Sequence, residues 1–256
     1  LFVAVIFPPA CIHVIRRYPA DMGLYPDGVS ATEWLEQEAR AAEIRAASPA
    51  SVRDWTLRDA LKARRFWLLF LIWICTMGIT EQVVISQQVF FYLDAGYSPL
   101  TAATFYAIFG LSMAAGNLFG SFSDRVGREH LSMPSFLLCL ALTGLLFLMR
   151  DATTPWLPFL FALGFGFSFG ALSCVLNATV ADIFHGAHYG SIAGMLVFGF
   201  AIGGCISPWL SGLLYDLSGG HTYTYSLIVV AQLASIIMYR QVVPKKVRAV
   251  RQPPVS

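Results

Sequence analysis

Six long apolar runs constrain the fold of this chain more than any other feature. The shortest of them, residues 223–239, has 17 residues, and together they contain almost no charged side chain. A helix rises about 1.5 Å per residue, so runs of this length can cross a bilayer core of roughly 30 Å. A membrane β-barrel would instead need alternating segments of about ten residues. We therefore predict an all-α integral membrane protein with a six-transmembrane-helix bundle. The predicted spans are residues 66–92, 100–123, 131–149, 157–184, 190–214 and 223–239.

The composition agrees with a membrane protein. Of the 256 residues, 57% are hydrophobic and only 12% are charged, whereas soluble domains carry about 25% charged residues. The cysteines fall inside apolar runs without metal-ligand spacing, so we interpret them as small hydrophobic side chains. We predict no metal, no cofactor and no nucleic-acid partner. The five cysteines are Cys11, Cys75, Cys139, Cys174 and Cys205.

Three further segments flank the bundle that we predict over residues 66–239. Residues 1–15 are apolar but too short to span, so we interpret them as the end of a preceding transmembrane helix, and we expect the chain to be the C-terminal piece of a longer protein. Residues 16–65 are predicted to form a polar central loop with short amphipathic helices, the first of which opens with the capping-box pattern Ser30–Glu33. Residues 240–256 form a basic tail.

The distribution of Lys and Arg predicts the orientation. Sixteen of the 17 basic residues lie in the central loop, the turn at residues 123–130 and the C-terminal tail, which share one face if six spans alternate. Arg150 alone lies on the opposite face. Because Lys and Arg accumulate on the cytoplasmic side, the loop, the turn and the tail are predicted to be cytoplasmic. We expect an integral multi-pass protein of the plasma (inner) membrane.

A short motif repeats in the two halves of the bundle. The pattern Gly-xxx-Asp-xx-Gly occurs at residues 120–127, where the second span ends, and again at residues 212–219, where the fifth span ends. The two copies lie at the same point of two three-helix units that have opposite topology. This arrangement is typical of the inverted repeats of transporters, so we predict two inverted three-helix repeats.

The first copy resembles the loop signature of the major facilitator superfamily. Residues 19–28 and 55–67 look like the central loop of its monocarboxylate and oxalate/formate branch, and residues 181–194 and 208–216 look like that branch's tenth and eleventh helices. The resemblance implies that this chain is the C-terminal half of a 12-helix fold. It also implies a missing N-terminal six-helix half, and two bundles that rock around a central solute site.

Glu81 is the only ionisable side chain deep in any predicted span. A carboxylate at that depth needs a partner, a proton or a water-filled cavity. We predict that it carries a proton or contacts the solute; the alternative is a carboxyl neutralised within the bundle for structural reasons. Other polar side chains within the spans could bind solute or hydrogen-bond to neighbouring helices. They are Thr80, Gln87, Gln88, Asn117 and Asn177.

Glycine and proline positions indicate close helix packing and bending. Glycines four residues apart favour close contact between helices, and Pro208 is the best candidate for a kink. The predicted packing and bend positions are Gly116, Gly199, Gly203, Pro208 and Gly212, and the glycine pairs are Gly116 with Gly120, Gly166 with Gly170, and Gly199 with Gly203.

The charged turn after the second span has two possible roles. It could be a boundary clamp in which Asp124 caps a helix and the arginines lie at the phosphate level. The family resemblance instead implies gating, in which Asp124 and Arg128 contact the missing half. The gating residues are Gly120, Asp124, Arg125, Gly127 and Arg128. Asp182 is interpreted as a cap at the cytoplasmic edge, and His185 and His188 as exposed loop residues.

We therefore expect a secondary active transporter, a symporter or antiporter, that moves a small solute across the lipid bilayer by alternating access. A proton is the expected coupling ion, and the solute class includes organic anions. Since residues 100–123 and 190–214 contain no Lys or Arg, an anion would take its cation from the missing half or from a helix N-terminus. The chain is not expected to be an enzyme, because Glu81 stands alone. The alternative is a receptor or scaffold that retains the fold without transport.

Overall fold

The computed structural model describes residues 30, 32–36, 39–40, 55–122, 127–149, 151–186 and 188–242. The chain divides into two units, residues 1–53 and residues 54–256, which are described separately. In the first unit, the N–H of Ser30 donates to Oε2 of Glu33 at 2.9 Å, and the N–H of Glu33 donates to Oγ of Ser30 at 3.4 Å. These are the reciprocal bonds of a capping box. The predicted helix end at 1–15, most of the predicted loop and the tail beyond Val242 lie outside the described residues.

The described part of the second unit consists of helices joined by short turns and contains no strand. Six helices are long and apolar enough to cross a membrane, by length and composition, within the residues that the structure describes. The prediction of an all-α, six-helix membrane fold is thus confirmed. A short helix, α1 (Leu57–Lys62), precedes them. The six long helices are α2 (Arg64–Asp94), α3 (Pro99–Gly120), α4 (Arg128–Leu146), α5 (Trp156–Ile183), α6 (Tyr189–Ser218) and α7 (Thr222–Val242).

Local capping sets the helix ends, which differ from the predicted spans by up to four residues. The α3 helix begins where the Ser98 hydroxyl accepts from the N–H of Thr101 at 3.2 Å. The α4 helix starts three residues before the predicted span, because Gly127 precedes it with φ of 101°, a conformation that glycine adopts readily. The α6 helix runs on to Ser218 and ends at Gly219, which has φ of 66°. Apolar composition alone does not show these caps.

The contacts between helices follow the predicted inverted repeat, with α2–α4 as one triplet and α5–α7 as the other. The second helix of each triplet packs against the first helix of the other, as α3 against α5 and α6 against α2. The third helices follow the same rule, since α4 packs on α5 and α7 packs on α2. The first helices are therefore the central ones. Only 28% of the most apolar stretch of α3 and of α6 is buried, against 61% for α5.

Aromatic rings and glycines fill the contacts of α5. The rings of Phe161, Phe165 and Phe169 stack along the helix, with centroids 4.9 Å and 5.7 Å apart. On the side facing α3, a Cβ on Gly166 would lie 2.6 Å from the carbonyl oxygen of Phe109, and a Cβ on Gly116 would overlap the carbonyl oxygen of Phe167. The two backbones therefore touch with no side chain between them, which is the contact that small residues allow in membrane helices.

Candidate functional site

Glu81 lies near the middle of α2. Thirteen residues separate it from Asp94 and 17 from Arg64, which places it roughly 20 Å and 25 Å from the two ends of the helix. Its side chain is half-buried. Within the described residues, its carboxylate makes no hydrogen bond and no ion pair. The helices α6 and α7, which pack against this part of α2, carry no charged side chain at residues 189–215 and 222–239. The carboxylate therefore has no counter-ion from either helix.

The central part of α2 is a π-helix, which residue patterns did not predict. It runs from Trp73 to Glu81, so Glu81 is its last residue. The hydroxyl of Thr80 donates to the carbonyl oxygen of Cys75, five residues earlier, at 3.0 Å. The Thr80 side chain is buried, and its hydroxyl bonds within its own helix. π-Segments are rare and occur frequently at functional sites.

The α6 helix crosses the π-segment at a glycine contact. A Cβ on Gly78 would lie 2.6 Å from the Cα of Gly203, and a Cβ on Gly203 would lie 2.7 Å from the carbonyl oxygen of Ile74. One turn further along α6, the buried hydroxyl of Ser207 donates to the carbonyl oxygen of Gly78 at 2.9 Å. Sequence reasoning singled out Gly203 but missed Gly78 and Ser207, because only the fold brings them together.

The remaining predicted packing and bend positions on α6 have different surroundings. Gly199 lies against the Phe70 ring, which a Cβ would meet at 3.0 Å. Gly212 would meet no heavy atom within 4 Å. Pro208 lies inside α6, and the helix continues through it to Ser218.

The two glutamines that follow Glu81 on the same helix have different environments. Gln88 is completely buried, and its amide donates to the hydroxyl of Tyr92 at 2.6 Å. Gln87 is half-buried. A residue seven positions after Glu81 lies about two turns away on the same side of the helix, so the side that is partly open at Glu81 is packed at Gln88.

Asn117 and Asn177 belong to one chain of hydrogen bonds between α3 and α5. The Asn117 amide donates to the carbonyl of Met113 at 3.1 Å. The Ser173 hydroxyl donates to Oδ1 of Asn117 at 3.0 Å, and the Asn177 amide donates to the carbonyl of Ser173 at 2.9 Å. Ser173 was missed from the sequence, although it lies one turn before Asn177. Asn117 and Ser173 are half-buried and Asn177 is exposed, so this polar ladder leads from the helix contact to the surface of the bundle.

The start of α4 and the end of α5 are joined by an ion pair. The Arg128 guanidinium forms a two-point contact with the Asp182 carboxylate, with Nη2 donating to Oδ1 at 3.0 Å and Nε paired with Oδ2. Asp182 thus bonds to a neighbouring helix, where the sequence suggested a capping role. Gly120 is the last residue of α3, and a Cβ on it would lie 2.6 Å from the Cβ of Cys174. Asp124 and Arg125 lie outside the described residues.

Two histidines, His185 and His188, lie at this edge. His185 Nδ1 lies 3.3 Å from the carbonyl oxygen of Asp182, and His185 and His188 are exposed. Among the described residues, no group of three His, Cys, Asp or Glu side chains is arranged to hold a metal ion.

A second polar cluster, at the opposite end of the bundle, was also missed from the sequence. His221 Nε2 lies 2.9 Å from Oδ2 of Asp94, which ties the end of α2 to the turn before α7. The His221 ring lies 4.6 Å from the Tyr215 ring and 4.7 Å from the Phe91 ring, measured between centroids. Burial lowers the pKa of His221, and the Asp94 carboxylate partly opposes this effect. The cluster borders a cavity of about 450 Å³.

Comparison with known proteins identifies the family. The sequence profile of the Major Facilitator Superfamily matches residues 22–208. Monocarboxylate transporter 12 of Rattus norvegicus is 25% identical over 217 residues, which are 79% of this chain and 44% of that protein. The lysosomal dipeptide transporter MFSD1 of Danio rerio is 24% identical over 177 residues, 68% of this chain and 38% of that protein. Monocarboxylate transporter 12-B of Danio rerio is 27% identical over 150 residues, 57% of this chain and 31% of that protein.

These relatives agree with the predicted resemblance and set its extent. All three carry the names of transporters, a non-enzymatic class, which agrees with the expectation that this chain is not an enzyme. The chain spans less than half the length of each. Since the profile covers most of the chain and the described part forms the six-helix bundle, the chain belongs to the Major Facilitator Superfamily.

Proposed function

We propose that this chain forms the C-terminal six-helix half of a secondary active transporter that moves a small solute by alternating access. The coupling ion is a proton, and Glu81 is the residue that carries it or that contacts the solute. The observation that supports this proposal is the Glu81 carboxylate, which lies at mid-helix without a hydrogen-bond or ion-pair partner in the described part of the chain.

An unpartnered carboxylate in this place has few physical solutions. An ionised carboxylate at the centre of a bilayer costs about 2.5–3.5 kcal/mol or more. It is tolerated when it is protonated, when it is paired, or when it faces a water-filled cavity. A site that opens in turn to either side would let Glu81 take up a proton on one side and release it on the other.

Small organic acids are the solute class to test first. The relatives' names refer to monocarboxylates and, in one case, to dipeptides, and both classes carry a carboxylate. Since α3 and α6 contain no Lys or Arg, the cation that holds an anionic solute would come from the N-terminal half. The polar ladder of Asn117, Ser173 and Asn177 could supply further hydrogen bonds.

The charged turn after α3 is proposed to act in gating. Asp124 and Arg128 would contact the N-terminal half in one access state, and Arg128 also bonds to Asp182 at the edge of its own bundle. The basic loop, the turn and the tail would face the cytoplasm, in the plasma (inner) membrane, since positive residues accumulate there.

The test uses the full-length protein, with both six-helix halves, in proteoliposomes. Uptake of radiolabelled monocarboxylates and dipeptides is driven by an imposed pH gradient, and a pH-sensitive dye reports proton movement. Exchange of solute at equal pH is measured in parallel. The variants are Glu81→Gln and the control Glu129→Gln, which removes an exposed carboxylate in the first turn of α4.

Three outcomes separate the roles of Glu81. If Glu81 carries the proton, Glu81→Gln abolishes gradient-driven uptake and retains exchange, because glutamine resembles the protonated carboxyl. If Glu81 contacts the solute, Glu81→Gln abolishes both gradient-driven uptake and exchange. If uptake and proton movement remain as in Glu129→Gln, the proposed role is refuted. If the wild-type protein transports none of the monocarboxylates and dipeptides tested, the alternative is favoured, a receptor or scaffold that keeps the fold.

A further inference from the structure

We propose that Ser207 of α6 is a positioning residue for Glu81, because its hydroxyl bond to the Gly78 carbonyl holds α2 in the π-helical geometry that ends at Glu81. This inference rests on the proposed role of Glu81 and adds the part of the molecule that sets where the carboxylate lies. Ser207 is buried and contacts α2 129 residues away in sequence, at 2.9 Å.

The geometry of the π-segment shows where the Ser207 bond acts. In a π-helix the N–H groups bond to carbonyls five residues back, and the ordinary four-residue partners are displaced. At the end of this segment, the N–H of Gln82 donates to the carbonyl of Ile79, three residues back. Gly78 would accept this N–H in a regular α-helix. Its carbonyl accepts the Ser207 hydroxyl of α6. Ser207 thus bonds the main chain of α2 where the α-helical bonding pattern is interrupted.

The backbone contact beside this bond makes α6 a close support for the segment. The Cα of Gly203 would lie 2.6 Å from a Cβ on Gly78, so the two main chains meet without intervening side chains. Pro208 follows Ser207 directly, and a proline inside a helix removes one main-chain hydrogen bond. Both helices therefore depart from regular α-helical bonding at the place where they contact each other.

The consequence for Glu81 follows from helix geometry. A π-turn accommodates about one extra residue relative to an α-turn. If the segment relaxed to α-helical geometry, residues at its end would rotate by about 100° around the helix axis relative to those before it. Glu81 is at that end, so loss of the Ser207 bond would change the surroundings of its carboxylate without touching it.

The experiment compares Ser207→Ala with Ser207→Thr, which keeps the hydroxyl, in the full-length chain. The matched control is Ser112→Ala, since the Ser112 hydroxyl also donates to a carbonyl of another helix, that of Leu163 in α5. Two readouts are taken across a pH series. One is the solute flux, and the other is the rate at which a hydrophobic carbodiimide modifies Glu81, followed by mass spectrometry.

We expect Ser207→Ala to shift the midpoint of the pH dependence of both readouts, while Ser207→Thr and Ser112→Ala keep the wild-type midpoint. A Ser207→Ala profile equal to those of wild type and Ser112→Ala would overturn the inference. If Ser207→Ala does not accumulate in membranes, Ser207→Cys takes its place, since a thiol is a weak donor, with the same expected shift and the same refuting result.

The failure of this inference is distinguishable from failure of the proposed function. Carbodiimide labelling of Glu81 reports its surroundings whether or not transport depends on it. If Glu81→Gln leaves proton coupling intact, the proposed function fails, yet a shifted labelling profile in Ser207→Ala still supports the positioning role. If Glu81→Gln abolishes coupling and Ser207→Ala changes nothing, only the positioning role fails.

Discussion

The glycine contact between α3 and α5 makes a quantitative prediction for Gly166→Ala. An added Cβ would lie 2.6 Å from the carbonyl oxygen of Phe109, whereas ordinary contacts begin at 3.4 Å. The two helices must therefore separate locally by about 0.8 Å. A gap of that size loses a quarter to a half of the dispersion attraction of the atoms on either side.

The energetic cost can be bounded from known cases of overpacking. Inserting a methyl group into a packed interface costs about 1–3 kcal/mol. In a protein of this size, about 1 kcal/mol corresponds to roughly 2–4 °C in melting temperature. We therefore expect Gly166→Ala to lower the melting temperature by about 2–12 °C. Gly170→Ala should lie at the upper end, because its Cβ would overlap the carbonyl oxygen of Met113.

The assay is thermal unfolding of the purified chain in detergent, followed by tryptophan fluorescence. Gly164→Ala, on the same helix, meets the end of the flexible Leu142 side chain, so its melting temperature should fall less. Gly110→Ala and Gly144→Ala would meet no heavy atom within 4 Å and should be neutral or slightly stabilising, since alanine favours helix. If Gly166→Ala has the same melting temperature as Gly110→Ala, the close contact between α3 and α5 is wrong.

Three further predictions concern single interactions. In a double-mutant cycle of Arg128→Gln and Asp182→Asn, the coupling energy should be below about 1 kcal/mol, since the Asp182 side chain is 53% exposed. His221→Gln should flatten the pH dependence of the melting temperature below about pH 6.5. Burial lowers the pKa of His221 in the folded chain, so the unfolded chain binds more protons in this range. The stability of the wild type therefore falls as the pH is lowered. Ser173→Ala should cost about 0.6 kcal/mol, because the hydroxyl that donates to Asn117 is lost.

Each of these has a result that would contradict it. A coupling above about 2 kcal/mol would contradict the prediction that solvent screens the Arg128–Asp182 pair. A His221→Gln variant whose melting temperature falls with acid as steeply as wild type would remove the histidine from the pH response. The control for Ser173→Ala is Ser226→Ala, whose hydroxyl bonds only within its own helix at 2.9 Å; equal melting temperatures would refute the cross-helix contribution.

The sequence predicts the six spans well because the bilayer fixes their length and the cost of charge within them. It also indicates where the helices approach closely, since glycines four residues apart at 116–120 and 166–170 favour close contact between apolar helices. Helix ends are less visible, because they depend on single caps such as Gly127.

The details around Glu81 are not predictable from local pattern. The π-segment contacts Gly203 and Ser207, more than 120 residues away, and no local signal marks residues 73–81 as non-α. The pairs Arg128–Asp182 and Asp94–His221 join residues that are 54 and 127 positions apart. Such contacts follow from the order in which helices pack, which apolar periodicity does not encode.

The most direct test of the central claim is the accessibility of Glu81 from the two sides of the membrane. A charged, membrane-impermeant carbodiimide is added to sealed right-side-out and inside-out vesicles that contain the full-length chain, with and without solute, and labelled Glu81 is quantified by mass spectrometry. Alternating access predicts that Glu81 is modified from both sides and that solute changes the ratio between them. Modification from one side only, under every condition, would contradict the account.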